Sequence, residues 1–414
     1  MLLKFSVENY KSIRGKMTLS FDAKHDPEHP SHFFELGQLR FLKSALIYGG
    51  NASGKTNLFQ ALNTAIRFVR MSSSLQLGES MPEIEPFLLD DSSYEEPVSF
   101  GFEFIAEGKK YGYSFSIFRN IIESEALAVY YAVKPGVIFR RGIRNQKEFS
   151  IAQQYRKDLS VVAKHTAADK LFLSTAAAWN CETVRAPFEW FRDSIKVLEP
   201  DNEEVIRESV RMFAQDTNQR MPRFTCDLLK QAGIQISGYH ISGGDYSKKQ
   251  GNVESIQIIQ KVKVNGKEVE KEYPLSVESQ GMKKLFILSA VLAKTLRNGE
   301  TLFIDDMDIH LSPHVLEYIV DLFHDPSTNC FNAQLVASCH CLSLFTMKKM
   351  RRDQLYVMAK SPDYGSSELH SLFDFSARKE MDARKAYMQW KFIPEFQGEQ
   401  GVRVFIEPRN TRRT

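Results

Sequence analysis

A glycine-rich segment that ends in a lysine and a hydroxyl residue is the first feature of this sequence able to do chemistry. It reads Gly49-Gly-Asn-Ala-Ser-Gly-Lys-Thr56 and matches the pattern G-x-x-x-x-G-K-[ST]. In such a loop, inward-turned backbone N–H groups bind phosphate at the positive end of the following helix. We therefore expect a nucleotide to contact Gly49, Gly50, Asn51, Ala52, Ser53, Gly54, Lys55, Thr56 and Asn57.

A second set of reactive residues lies far along the chain, where the apolar run 301–304 ends in Asp305 and Asp306. On its own, such a run is more often a strand that meets a turn. Beside a phosphate-binding loop, it predicts a magnesium and hydrolysis site. We expect Lys55 to reach the β- and γ-phosphates, Thr56 and Asp305 to hold Mg²⁺, and Asp306 to orient or deprotonate the attacking water.

Two further segments flank these carboxylates. Ser279-Gln-Gly281 precedes a helical pattern and joins a hydroxyl, a glycine and a helix N-terminus, which is again anion-binding chemistry, although a plain N-cap by Ser279 is the simpler reading. His340 ends the apolar run 334–338. A histidine at a strand end is usually packed or solvated, but in this order it could donate a hydrogen bond to the γ-phosphate.

The elements that must position these residues alternate between strands and helices. Strand patterns cover 2–9, 16–22, 44–48, 97–105, 111–118, 253–264, 267–274, 301–305, 334–338 and 354–359; helical patterns cover 55–71, 280–298, 313–324 and 341–350. Asn265-Gly266 is a strong hairpin signal. Strands that alternate with helices in the last third predict a parallel sheet and an α/β fold.

Between 140 and 235 charged and amide residues increase, and helical patterns dominate, including 163–178 and 202–214. This predicts a helical subdomain inserted into the α/β fold. We therefore divide the chain into an N-terminal lobe, 1–139, the insertion, 140–235, a C-terminal lobe, 236–375, and a tail, 376–414.

Composition sets broad limits on function. The 414 residues are 43% hydrophobic and 25% charged with a net charge of +3, as in ordinary globular proteins and less basic than most DNA-coating proteins. Five cysteines without C-x-x-C spacing suit a reducing compartment. Neither an export signal nor an apolar run of membrane-spanning length is evident. We expect a cytoplasmic protein that does not bind membranes.

Together these motifs resemble the ABC-type ATPases of the RecF, OLD and SMC group. The opening Asn9-Tyr-Lys-Ser12 is similar to the group's N-F-K/R-S start, and Ser279-Gln-Gly281 to its abbreviated signature motif. Asp305-Asp306 resembles the Walker B motif, Asp308 the D-loop, and His340 the switch histidine. The resemblance covers about 1–135 and 235–375 and implies an ABC-type P-loop ATPase head of mixed β-sheets with flanking helices.

The resemblance also implies a mechanism. Such heads bind ATP and Mg²⁺ as a head-to-tail pair, so Lys55 of one copy would face Ser279 and Gly281 of the other. The sequence departs from the group where most members have Glu and this chain has Asp306, which predicts slow hydrolysis. A Q-loop glutamine is not identifiable, and the segment around Pro86-Phe87 is where it is expected.

Among branches of the group, stand-alone ATPases of bacterial abortive-infection systems are the most similar. The insertion is too short and lacks the heptads of SMC coiled coils, and 376–414 has no carboxylate set for the nuclease domain of OLD proteins. The leading hypothesis is an ATPase homodimer or higher oligomer that regulates a separately encoded effector, often a nuclease, against phage. A RecF-like DNA clamp is the alternative, and a nuclease acting alone is a third hypothesis.

Two smaller features have simple explanations. Cys339, His340 and Cys341 are adjacent on an extended segment, so their side chains point to opposite faces and do not converge on zinc. Two basic clusters could contact the phosphates of DNA, but solvated surface explains such clusters more often; they comprise Arg140, Arg141 and Arg144, and Arg409, Arg412 and Arg413.

Overall fold

The computed structural model describes residues 1–37, 39–75, 84–131, 134–142, 148–198, 203–215, 220–241, 255–362, 364–375 and 382–389. Its strands are β1 Leu2–Glu8, β2 Met17–Ser20, β3 Phe33–Leu36, β4 Leu39–Leu42, β5 Ser44–Tyr48, β6 Val98–Ala106, β7 Lys109–Phe118, β8 Ile121–Tyr130, β9 Pro135–Gly142, β10 Glu148–Ile151, β11 Ile195–Leu198, β12 Gly238–Ile241, β13 Ile256–Val264, β14 Lys267–Pro274, β15 Thr301–Ile304, β16 Gln334–Ser338, β17 Leu355–Lys360 and β18 Ser367–Ser371. Its α-helices are α1 Lys55–Met71, α2 Arg156–His165, α3 Phe172–Ala178, α4 Glu182–Glu189, α5 Glu203–Gln215, α6 Arg220–Gln231, α7 Gln280–Asn298, α8 Pro313–His324 and α9 Ala383–Met388.

One of the two main sheets has seven antiparallel strands in the order β10-β9-β8-β7-β6-β1-β2. Residues of β6 alternate between buried and half-buried positions, with Phe100, Phe102 and Phe104 directed into the core. The aromatic rings stack at close range, as between Phe104 and Trp190, whose centroids are 4.1 Å apart. This period of two is the pattern of a sheet with one buried face.

The nucleotide motifs lie on a six-stranded sheet in the order β11-β15-β16-β5-β17-β18. All its pairs are parallel except β17-β18. The five residues of β5 are all buried, as expected for a strand with both faces covered. The α/β fold with mixed sheets and flanking helices, predicted from the sequence, is thus confirmed.

Helix α1 contacts both main sheets. Its Phe68 packs on Phe115 of the seven-stranded sheet at 6.0 Å between centroids, and its Phe59 packs on Phe303 of β15 at 5.7 Å. The buried face of α1 follows helical spacing through Leu58, Leu62 and Val69. This packing fixes the start of α1 beside the carboxyl end of β5.

The helix predicted over 163–178 is wrong in one respect, because the structure has two helices there, α2 and α3. Arg141 binds the carbonyl oxygens of Lys170, Ala167 and Ala168 in the segment between them, at 2.6–3.1 Å. The buried carboxylate of Glu125 accepts hydrogen bonds from the first N–H groups of α3. These contacts offer the backbone partners that a continuous helix would exclude.

Strands also occur inside the segment that the sequence indicated to be helical. β10 pairs with β9 in the seven-stranded sheet, and β11 pairs with β15 in the six-stranded sheet. The described residues of 140–235 therefore form strands in both sheets and five α-helices.

The predicted helix 341–350 is likewise wrong: a 3₁₀ turn, Leu342–Leu344, followed by irregular turns occupies this segment. The carboxylate of Asp308 accepts hydrogen bonds from the N–H groups of His340 and Cys341. The ring of Phe345 packs against Tyr48, 4.7 Å away. Both contacts hold the chain close to the sheet edge. None of the described helices is long and apolar enough to cross a membrane.

Candidate functional site

The loop 49–54 joins β5 to α1 in a conformation that requires glycine at both ends. Gly54 has φ 106°, and a Cβ there would lie 2.1 Å from Ser367 Oγ. At Gly49 a Cβ would lie 2.5 Å from the carbonyl oxygen of Met358. Ala52, between them, also has positive φ, 61°. Positive φ values within such a loop turn successive N–H groups inward and form an anion-binding concavity.

Lys55 begins α1 and is only 6% exposed. Its Nζ donates hydrogen bonds to the carbonyl oxygens of Gly49 at 2.9 Å and Gly50 at 3.3 Å. Burial lowers the pKa of Lys55, while the nearby carboxylates of Asp306 and Asp305 act in the opposite direction. The ammonium group of Lys55 therefore contacts the backbone of the phosphate-binding loop.

The start of α1 has the features of an anion site. Its N-cap is Gly54, which offers no side-chain acceptor, and its first turn has no acidic residue. Ser53 Oγ is buried and lacks a hydrogen-bond partner among the residues that the structure describes. Thr56, by contrast, is exposed. These donors and the helix N-terminus fit a phosphate group.

Residues near the N-terminus brace this loop, a role that the sequence did not reveal. Asn57 Nδ2 donates to Ser12 Oγ at 2.7 Å, and the hydroxyls of Ser12 and Ser367 are 2.8 Å apart. Asn9, in the left-handed region at φ 56°, accepts from the N–H of Phe87 and donates to the carbonyl of Ser93. Ser12 therefore connects the start of α1 to β18, and Asn9 holds the segment that begins at residue 84.

Asp305 and Asp306 directly follow β15, one strand removed from β5. Ser338 Oγ, at the end of the intervening β16, donates to Asp305 Oδ1 at 2.5 Å and accepts from the N–H of Asp306 at 2.7 Å. Asp306 adopts φ 47°, in the left-handed region. The next residue, Met307, is buried and its N–H bonds to the carbonyl oxygen of Ser338 at 3.0 Å, so the turn stays at the end of β16.

His340 faces Asp306 across the end of β16. Its Nε2 is 3.5 Å from Asp306 Oδ1, and both side chains are partly exposed. Asp308 Oδ2 accepts the N–H of His340 at 2.7 Å and also that of Cys341. Asp308 thus fixes the backbone that carries His340.

The segment Ser279-Gln-Gly281 lies at the start of α7. Ser279 is exposed and caps the helix by accepting the N–H of Met282 at 3.3 Å. A Cβ at Gly281 would lie 2.5 Å from the carbonyl oxygen of His310. The N-cap expected as the simpler reading is therefore present, and the segment packs against the chain that follows Asp308.

The structure brings three of the four sequence motifs to one edge. The loop 49–54, Asp305-Asp306 and His340 follow β5, β15 and β16, which are neighbours in the order β15-β16-β5 and run parallel. Their carboxyl ends therefore share the sheet edge where ligands bind in open α/β folds. The fourth motif has other neighbours: Ser279 accepts the N–H of Met282, and Gly281 lies against the carbonyl oxygen of His310.

The basic cluster at 140–144 requires a correction. Arg141 is buried and forms an ion pair with Glu125 at 3.6 Å, so it does not present its charge to DNA. Arg140 is exposed. Arg144, Arg409, Arg412 and Arg413 lie outside the described residues.

The residues of this site fit Mg²⁺ bound together with ATP better than they fit a metal ion held by protein side chains alone. Among the described residues, no group of three or more His, Cys, Asp or Glu side chains is able to hold a metal. Magnesium is commonly bound through one or two carboxylates together with nucleotide phosphates. Asp305 and Thr56 would supply such protein ligands beside the phosphate-binding loop.

A phosphate-binding loop that opens a helix, beside a parallel strand tipped by two aspartates, defines a P-loop ATPase. Residues 44–345 match the family described as "AAA domain, putative AbiEii toxin, Type IV TA system", and the chain belongs to that family. No curated protein matches the chain.

Among the solved structures that are similar to the chain are two SMC heads. One is the SMC head domain from Thermotoga maritima, at 13% identity and a TM-score of 0.41, covering 89% of this chain and 98% of that one. The other is an SMC head bound to the C-winged helix domain of ScpA, at 13% identity and a TM-score of 0.44, covering 89% and 97%.

Proposed function

We propose that this protein binds ATP and Mg²⁺ between two copies arranged head to tail, and that the nucleotide state regulates a separately encoded effector in defence against phage. One observation carries the proposal. Lys55, Asp305, Asp306 and His340 share one sheet edge, whereas Ser279 is exposed at a helix start and its neighbour Gly281 packs on His310. A second copy would supply the missing signature donors.

The residues of the site divide between binding and hydrolysis. Gly49, Gly50, Asn51, Ala52, Ser53, Gly54, Lys55, Thr56 and Asn57 would hold the phosphates, with Ser279 and Gly281 of the second copy opposite. When bound, Mg²⁺ would neutralise developing charge on the phosphates, held by Thr56 and Asp305. Asp306 would orient or deprotonate the attacking water, and His340 would donate to the γ-phosphate.

We expect hydrolysis to be slow. The carboxylate of Asp306 is one methylene closer to its backbone than the Glu of most relatives, and it lies beside His340 at 3.5 Å. A steady-state turnover comparable with that of fast transport ATPases would contradict this expectation.

The proposed effector is a separate protein, expected to be a nuclease. The family description names a toxin–antitoxin system, which supports a role beside a second component. Within this arrangement the ATPase head would comprise 1–139 and 236–375 together with the strands β10 and β11 that 140–235 adds to the two sheets, while exposed faces of the helices in 140–235 would remain available for the partner. The alternative is a RecF-like clamp that holds DNA when ATP is bound.

Mixed dimers test the head-to-tail site directly. Lys55→Ala disables the phosphate-binding half and Ser279→Arg disables the signature half, so each variant alone should hydrolyse almost no ATP. In a mixture, half-sites from different copies combine, and each mixed dimer regains one intact site. Restored turnover on mixing supports the proposal, while a mixture as inactive as its components would overturn the shared site.

Capture from the native host distinguishes the two candidate functions. Tagged protein with ATP and Mg²⁺, compared with Lys55→Ala, should recover one stoichiometric protein partner that the variant loses. Recovery of DNA with repair proteins would favour the clamp. A clamp should also release DNA steeply as salt rises, because phosphate contacts displace counterions.

A further inference from the structure

Lys284 is a charged residue in the second turn of α7, where it is only 8% exposed. Its Nζ donates hydrogen bonds to the carbonyl oxygen of Ile309 at 2.8 Å and to that of Asp306 at 3.2 Å. A buried ammonium is costly unless such partners satisfy it. The lysine therefore connects the signature helix to the turn that follows the two aspartates.

A second contact reinforces this connection on the same helix. Gly281 lies so close to the carbonyl oxygen of His310 that any side chain at 281 would collide with it. His310 has φ 65° and Asp306 has φ 47°, so both ends of the turn 306–310 are in the left-handed region. Non-glycine residues hold this conformation only when their surroundings determine it. Lys284 and Gly281 supply those surroundings.

The position of Asp306 depends on this turn, because Lys284 binds the carbonyl group of that same residue. From these contacts we infer that Lys284 is a positioning residue. It transmits movement of the signature helix, which serves the nucleotide on one P-loop, to Asp306, which serves the nucleotide on the other. This inference rests on the proposed head-to-tail site and adds to it a route by which the two nucleotides of one dimer communicate.

If Lys284 positions Asp306, its loss should affect ATP hydrolysis but not ATP binding. The loop 49–54 and its Lys55 are not held by Lys284, so binding of ATP to a single copy should not require it. Hydrolysis requires Asp306 in its correct place, and small misplacements of a catalytic group have large effects on rate. Loss of Lys284 should therefore lower kcat and abolish cooperativity in ATP concentration while leaving nucleotide affinity nearly unchanged.

Lys284→Met tests the inference, because methionine has similar length but cannot donate hydrogen bonds. We expect kcat to fall about tenfold or more. The Hill coefficient should approach one, and the affinity of a fluorescent ATP analogue should stay within about twofold. Lys284→Arg should recover much of the rate, since arginine can donate to both carbonyls.

Lys294→Met is the matched control, because it removes a lysine from the same helix whose Nζ pairs with Glu208 instead. It should leave kcat and the Hill coefficient unchanged. Thermal denaturation of all variants shows whether each is folded. If Lys284→Met loses rate only in proportion to folded protein, or if Lys284→Arg recovers nothing, the positioning role is wrong. Failure of the wild-type protein to form an ATP-dependent dimer would instead overturn the proposed function on which the inference rests.

Discussion

Ser338 Oγ lies between the two carboxyl groups that would work on ATP, donating to Asp305 Oδ1 at 2.5 Å and accepting the N–H of Asp306 at 2.7 Å. One buried hydroxyl on β16 thus orients both residues that follow β15. The arrangement makes Ser338, which is fully buried, the link between the proposed metal ligand and the proposed water-orienting residue.

Ser338→Ala should weaken Mg²⁺-dependent ATP hydrolysis more than it weakens folding. Removal of the hydroxyl leaves the N–H of Asp306 without its partner, at a cost of about 1–3 kcal/mol in the free energy of unfolding. It also frees the carboxylate of Asp305, so we expect turnover to fall about tenfold or more. The measurements are steady-state hydrolysis across Mg²⁺ concentrations and urea denaturation.

Ser44→Ala is the control for this substitution. Ser44 is equally buried, but it begins the neighbouring strand β5 at the opposite end of the sheet, where its Oγ bonds to Gln354 and His324. A similar loss of stability with unchanged turnover at Ser44, and reduced turnover at Ser338, would confirm the orienting role. Equal turnover in the two variants would contradict it.

The sequence predicts local elements well where one continuous motif determines them. Strand 44–48 and helices 55–71, 280–298 and 313–324 have the predicted bounds, and the hairpin at Asn265-Gly266 is present. In each of these elements the apolar residues recur with a single period, and a glycine, a proline or a capping residue marks one end of the run. These signals are contained within a few residues of the chain.

The bracing residues could not be predicted in the same way. Ser338, Ser12 and Lys284 act on residues that are distant in sequence, and nothing beside them in the chain marks their partners. The two helix errors share this cause. The buried pair of Arg141 and Glu125 interrupts the predicted helix 163–178, and Asp308 prevents a helix after His340. Tertiary hydrogen bonds outweighed helical patterning at both places.

Stability should fall as the pH drops below about 6.5, because two stacked histidines are buried in neutral form. The rings of His32 and His324 are 3.5 Å apart. Burial is the main cause that lowers the pKa of His32 to about 4, with His29, Arg351 and Lys43 nearby, and burial also lowers the pKa of His324. Because both pKa values are lowered by folding, the unfolded chain binds more protons than the folded chain as the pH falls below about 6.5, so acid favours unfolding.

The free energy of unfolding should decrease by about 1.4 kcal/mol per pH unit for each histidine as the pH falls from about 6.5 to about 5. Urea denaturation at several pH values measures it. His32→Phe keeps an aromatic ring against His324 but cannot titrate, so the slope should decrease by about one such contribution. Replacement of the exposed His25 by Asn serves as the control. An unchanged slope in His32→Phe would show that this stack does not cause the acid sensitivity.

The ion pair of Glu125 and Arg141, on the neighbouring strands β8 and β9, should be essential to the stability of the seven-stranded sheet. Glu125 is 1% exposed and accepts hydrogen bonds from Tyr113 and from the N–H groups of Phe172 and Leu173. Burial raises the pKa of Glu125, and Arg141 opposes that rise. Glu125→Gln would leave Arg141 buried without a compensating charge, which typically costs about 3–5 kcal/mol.

An exposed ion pair beside the same sheet, between Arg119 and Glu95, provides the comparison. Arg119 and Glu95 are 2.9 Å apart with both side chains about two-thirds exposed, so Glu95→Gln should change the free energy of unfolding by less than about 1 kcal/mol. Thermal and urea denaturation of both variants, with ATP affinity measured on folded protein, complete the test. If the two substitutions lower the free energy of unfolding by similar amounts, burial does not explain the importance of the Glu125 pair.

Asp306→Asn should separate ATP binding from hydrolysis. The amide keeps the size of the side chain and suits the left-handed backbone at φ 47°, so the turn should fold unchanged. It cannot accept a proton from water, and loss of general-base assistance lowers rates about 10²–10⁴-fold. We therefore expect a protein that binds ATP with near-normal affinity and remains an ATP-bound dimer for much longer than the wild type.

Size-exclusion chromatography after addition of ATP and Mg²⁺ measures the dimer, and single-turnover hydrolysis measures the rate. Asp305→Asn is the matched variant, because it changes the adjacent carboxylate that would hold Mg²⁺. It should weaken Mg²⁺-dependent binding itself and give little dimer. If Asp306→Asn hydrolyses ATP at the wild-type rate, another group activates the water, and the pair formed by Asp306 and His340 at 3.5 Å is not the hydrolytic centre.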